Sequence, residues 1–163
     1  MKIKGLLASC FVLLISCNSS SGDEKATTPE AFNDRVYSME QSLGEPLLKA
    51  EADIRQQQQQ GDFKAMAQTA SAMEDSIDLR IRAIGKMKPL GVGGEDFKTA
   101  AVRYFEYLKR IYSTYGEIAL ASDLQSKDAA ENKMARWLTW QTQVLANLRS
   151  AQAKYAADNS FVF

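Results

Sequence analysis

The 163-residue chain has no histidine and only two cysteines, Cys10 and Cys17, with none after position 17. These absences exclude much chemistry. A Cys/His zinc site has no ligand set, and no histidine can serve as the base of a catalytic triad. The Glu-x-x-His motif of di-iron bundles is missing, as is any histidine for haem. The body beyond Cys17 has no thiol for a disulfide or a cysteine nucleophile. Charge of one sign is lacking too: 20 Lys and Arg balance 20 Asp and Glu. Without a strong basic patch, no nucleic acid partner is expected. The N-terminal apolar run, Leu6 to Ile15, is ten residues long. A span of the hydrocarbon core needs about twenty, so a permanent transmembrane helix is not expected. No segment sustains the alternation and β-branched enrichment of a strand.

What is present begins at the N-terminus. Lys2 and Lys4 precede the apolar run with no acid among them, as in the charged and apolar regions of a secretory signal. The run ends in Leu14-Ile15-Ser16-Cys17, which resembles the lipobox of bacterial lipoproteins. That resemblance implies cleavage between Ser16 and Cys17 and a covalent lipid on the Cys17 thiol. Two or more acyl chains hold stably where one holds only marginally. Leu7-Ala8-Ser9-Cys10 fits the same pattern. Cleavage there would leave only Leu6 to Ser9 as the apolar region, too short for a signal. The expected organisation is a signal peptide over 1–16, a lipidated cysteine with tether over 17–28, and a helical body over 29–163. Cleavage would remove Lys2 and Lys4, leaving 18 basic against 20 acidic residues among the remaining 147.

Asn18 to Thr28 is polar, with serines, threonines, a glycine and mixed charges. Eleven such residues reach at most about 40 Å and span about 20 Å as a flexible coil. Among lipoproteins an aspartate after the lipidated cysteine retains some at the inner membrane. The resemblance therefore favours the outer membrane for Asn18, while Asp23 and Glu24 leave surface export open.

The body carries four stretches of helical periodicity. The first starts at Thr28 as N-cap with Pro29 in the first turn. Its apolar stripe is Phe32, Val36, Met39, Leu43, Leu47, Ala50 and Ile54. Gly44 and Pro46 predict a kink or break near Leu43, since Pro46 cannot donate to the Ser42 carbonyl. The glutamines 56–60 read as a solvated helix end. Gly61 and Asp62 read as a stop and a new N-cap. The second helix carries Phe63, Met66, Ala70, Met73, Ile77, Ile81 and Ile84, and fades at Lys86–Lys88. Pro89 to Gly94 is a break with three glycines. It is followed by neither Lys nor Ser/Thr and preceded by no strand, so it is not a phosphate loop.

The third helix is expected from about Glu95 to Ala121, on a stripe of Phe97, Ala101, Tyr104, Leu108, Ile111, Tyr115 and Ile118. Ser122 to Lys127 reads as a loop, with Asp128 and Glu131 as a capping pair. The fourth helix then carries Met134, Trp137, Leu138, Val144, Leu145, Leu148 and Tyr155. It ends near Ala157–Ser160, before an apolar tail, Phe161-Val162-Phe163. Four segments of similar length with short connections predict an all-α fold, an antiparallel up-down-up-down four-helix bundle.

Candidate functional residues are few. The third helix is rich in aromatics, and Phe105 and Tyr112 on an adjacent stripe demand cover over a wide arc. Tyr107 is the aromatic expected to be exposed. Trp137 and Trp140 lie side by side on the fourth helix, and Gln141 interrupts its apolar stripe. Tyr104, Tyr107, Trp137 and Trp140 are the candidate binding surface. Carboxylates such as Glu74, Asp75 and Asp78 pair with surface cations such as Arg82, and no cleft between two carboxyls is foreseen. No catalytic, cofactor or metal residue is assigned; the only attached group is the lipid on Cys17. The body is similar to small helical envelope lipoproteins. The expectation is a non-enzymatic binding module held to the membrane by its lipid. Its partner would be an envelope protein, a cell-wall component or a small apolar ligand. An accessory subunit of an envelope complex is the alternative.

Overall fold

The computed structural model describes residues 26–163, in which four helices follow one another: α1 (Pro29–Gln60), α2 (Phe63–Lys86), α3 (Gly94–Leu120) and α4 (Leu124–Asp158). The expected signal peptide, the lipobox-like stretch and most of the expected tether lie outside the described residues. Among the described residues no helix is long and apolar enough to cross a membrane.

Each helix starts and stops for local reasons. Thr28 caps α1, its hydroxyl accepting from the Ala31 N–H at 3.1 Å, with Pro29 following. Gly61 closes α1 in the left-handed region at φ 72°. The N–H groups of Gly61 and Asp62 bond back to the Gln58 and Gln57 carbonyls at 3.3 and 2.9 Å, satisfying acceptors the helix end leaves open. Asp62 at once caps α2 by accepting from the Ala65 N–H at 3.0 Å, so two residues turn the chain round. Gly93 precedes α3 without a side-chain cap, and Glu95 and Asp96 supply negative charge in its first turn.

Two expectations need correction. Of the kink or break expected near Leu43, the break does not occur: α1 remains helical from Pro29 to Gln60 with Pro46 inside it. Leu43 and Ala50 are buried on either side of Pro46, and that packing outweighs one lost backbone bond. Ser42 and Pro46 both face solvent, where the carbonyl lacking its donor can be hydrated. The start of α4 is also earlier than Asp128. Asp123 caps it by accepting from the Ser126 N–H at 2.7 Å, and the Ser126 hydroxyl returns a bond to the Asp123 N–H. A serine at the third position does the work expected of glutamate.

Cross-helix bonds establish the topology. Gln57 reaches Thr69, and Arg80 reaches the Met39 carbonyl and the Ser42 hydroxyl, so α1 and α2 are antiparallel. Lys109–Asp78 and Lys98 with the Gly85 and Met87 carbonyls orient α3 against α2. Lys133–Glu117 does so for α4 against α3. The bundle is therefore up-down-up-down. Its core runs through Phe32, Leu43, Met66, Ile77, Phe105, Met134 and Leu148. Phe105 and Tyr112 are buried along with Phe97 and Ala101, so α3 is covered over a wide arc, as its two apolar stripes require.

One end is sealed by aromatics. Phe97 and Tyr155 stack at 5.1 Å between ring centres, and Phe32 meets both edge-on at 5.9 Å. The Tyr155 hydroxyl donates to the Leu90 carbonyl at 2.7 Å. Asn159 bonds both the N–H and the carbonyl of Val92, at 3.0 and 2.9 Å. The end of α4 thus fastens the loop between α2 and α3.

Candidate functional site

α1 and α4 make the loosest of the four helix seams in the bundle. They are tied by one polar chain. The Gln152 amide donates to Asn33 Oδ1 at 2.9 Å, and Arg149 donates to Gln152 Oε1 at 3.1 Å. The Arg149 guanidinium then forks onto both oxygens of Glu40, at 2.9 and 2.6 Å. Asn33, Glu40 and Gln152 are all buried, Glu40 to 6 % exposure. A bidentate, charge-assisted pair of this kind demands a defined geometry, so it sets the register of α1 against α4.

Alongside this polar chain α1 and α4 leave a cleft of about 390 Å³ between them. Its α1 wall runs from Tyr37 to Glu51, its floor is α3 from Tyr104 to Tyr112, and its α4 wall runs from Leu138 to Arg149. Gly44 lies on the α1 wall, and nothing stands within 4 Å of where its Cβ would be. The missing side chain widens the cleft at mid-length. Leu48 and Tyr37 form an exposed apolar rim.

Five polar groups on these walls have no hydrogen-bond partner among the described residues: the Tyr37 and Tyr104 hydroxyls, the Gln41 and Gln141 amides and the Glu51 carboxyl. Burial pushes the Glu51 carboxyl up from 4.5 to about 7, against the opposing pull of Arg55 four residues on. Burial likewise raises Tyr107 to about 12, and raises Tyr104 and Tyr112 further. All three phenols therefore stay protonated as donors at neutral pH. Tyr107 donates to the Trp137 carbonyl at 3.2 Å and Tyr112 to the Leu47 carbonyl at 3.3 Å. An apolar concavity with a few convergent polar groups is the usual form of a small-molecule site.

The four aromatics singled out from the sequence divide. Tyr104 and Tyr107 line the cleft together. Tyr107 is 7 % exposed, contrary to the expectation that it faces solvent; its ring packs inward while its hydroxyl reaches the α4 backbone. Trp137 and Trp140 stand outside the cleft, edge to face at 5.7 Å, with Arg110 over the Trp137 ring at 5.1 Å. Trp140 is 58 % exposed. Gln141 lines the cleft, and the buried, register-setting glutamine is Gln152 instead. The expectation that no cleft holds two carboxyls is also overturned, since Glu40 and Glu51 both line this one. They are eleven residues apart on one helix, roughly 16 Å along its axis. Asp78 does pair on the surface as expected, with Arg82 and also with Lys109 at 2.7 Å.

Sequence reasoning missed Glu40, Glu51, Gly44 and Arg149. A signal was present: Glu40 follows Val36 by four residues, and Glu51 follows Leu47 by four, so both acids fall on the apolar face of α1. Among the described residues no group of three or more His, Cys, Asp or Glu side chains is placed to hold a metal ion. Compared with known protein families, curated proteins and solved structures, the chain matches none.

Proposed function

We propose that this protein is a lipid-anchored binding protein of the bacterial cell envelope, without catalytic activity, whose cleft between α1 and α4 takes a small, mostly apolar ligand. The observation that carries the reading is the cleft itself: about 390 Å³, walled by tyrosine and leucine, with five polar groups on its walls that have no hydrogen-bond partner among the described residues. Its size falls within the range of small-molecule sites, about 300 to 1,000 Å³. The lipobox-like Leu14-Ile15-Ser16-Cys17 supports the anchor. The spacing of the two carboxyls supports a non-catalytic role. Paired acid and base carboxyls of glycosidases stand at most about 10 Å apart, and Glu40 and Glu51 are separated by more than that along α1.

Gly44→Leu tests the site. The new side chain enters open space in the cleft, and replacing a mid-helix glycine with a good helix former does not weaken α1. Titration with Nile red, a neutral apolar dye, is expected to show saturable binding near one dye per chain. Gly44→Leu should weaken it at least about tenfold while the thermal midpoint holds or rises. Undiminished dye binding by a folded Gly44→Leu protein would place the ligand elsewhere.

A further inference from the structure

We propose that the ligand of this cleft is a cationic amphiphile, its ammonium group held at the Glu51 end and its apolar body lying along Leu47, Leu108, Ile111 and Leu138. The inference rests on the cleft being a ligand site and specifies what that site selects.

The charges in the cleft are unequal in their commitments. Glu40 is neutralised by the two-pronged Arg149 pair, and Arg149 has its fork on that carboxylate and Gln152. An anionic ligand would have to break this pair to find a cation. Glu51 is different. It lines the cleft, it is half buried, and it accepts no hydrogen bond among the described residues. A desolvated carboxylate without a hydrogen-bond partner is costly, and a cation from the ligand adds to the pull of Arg55 in offsetting that cost. The rest of the lining is aliphatic or aromatic, apart from the Gln41 and Gln141 amides and the tyrosine hydroxyls. Such walls favour a body of hydrocarbon over a sugar or a peptide, either of which needs more donors and acceptors.

The surroundings of Glu51 make the binding depend on pH. Arg55 on its own helix opposes the raised affinity for a proton, and Tyr112 and Tyr115 face it from α3. From α4 the charged group of the cleft is Arg149, already paired, and α2 contributes nothing to the lining. In the empty protein Glu51 titrates at about 7. A bound cation favours the ionised form and lowers that value by about 1 to 3 units. Cation binding therefore releases a proton and weakens as pH falls below 7.

The test is calorimetric titration of the purified protein with octyltrimethylammonium, octyl glucoside and octyl sulfate, each kept below micelle formation. The three share a tail and differ in head charge. At pH 8 the ammonium is expected to bind at least about tenfold more tightly than the other two. Its affinity should fall about tenfold on going to pH 6, with that of the glucoside unchanged. Glu51→Gln should abolish both the preference and its pH dependence while retaining glucoside binding. The pH series on the native protein decides the matter even if that variant misfolds. Equal or tighter binding of the sulfate or glucoside, lost in Gly44→Leu, overturns the cationic assignment and leaves the cleft a ligand site. Failure of all three to bind overturns both.

Discussion

Glu40 and Glu51 lie on the same face of the same helix, and their neighbours give them different tasks. Glu40 holds Arg149 and through it the Gln152–Asn33 chain. Glu51 faces open space with its proton affinity raised by burial. Removing one partner of a buried pair costs more than the pair itself contributes, because the remaining charge is stranded. Here Arg149 is 39 % exposed and can turn toward water, which lessens the loss. Glu40→Ala is therefore expected to lower stability by about 2 kcal/mol in urea unfolding. Lys49→Ala, which removes the exposed pair with Asp53, should cost less than about 0.5 kcal/mol. Comparable losses in the two variants would mean that the Glu40–Arg149 fork does not tie α1 to α4.

The helices themselves were largely legible in the sequence, because caps and stripes are local. Thr28, Pro29, Gly61 and Asp62 mark their boundaries without reference to anything distant. The start of α4 was misread because Asp128 has the glutamate three residues on that the capping signature calls for, whereas Asp123 has Ser126, and only its bonds with Ser126 show that it is the cap. The loop between α2 and α3 shows the opposite limit. Its glycines announce a break, but the need for glycine at 91 comes from α4. Gly91 sits at φ 70°, and a Cβ there would overlap the Asn159 side chain and stand 2.8 Å from Pro29 Cγ. Gly91→Ala is expected to destabilise by about 2 kcal/mol or more, through left-handed strain and this overlap. Asn159→Ala alone should cost about 1 kcal/mol for its lost hydrogen bonds. In a double-mutant cycle the Gly91→Ala penalty should shrink once Asn159 is truncated. Strict additivity would place the strain in the loop alone.

For the whole molecule, the cleft and the proposed anchor at Cys17 belong to separate parts of the chain. Membrane attachment is expected to depend on Cys17 alone. Cys17→Ala should move the protein from the membrane to the soluble fraction, whereas Cys10→Ala should leave it bound, as read by fractionation and immunoblotting. Equal release of both would refute the lipobox assignment, and a folded, released Cys17→Ala protein should keep its dye binding. The sequence by itself determined the all-helical bundle and the four apolar stripes, because periodicity and capping are properties of neighbouring residues. Only the tertiary structure decided which seam stays open. Three of the four seams bring their helices into more extensive contact. The fourth is held by polar groups at Asn33–Gln152 and Glu40–Arg149 and leaves a cleft where Gly44 supplies no side chain. A cleft is a shortage of atoms between two helices. It depends on how both are placed against α3, and no stretch of either helix carries that information alone.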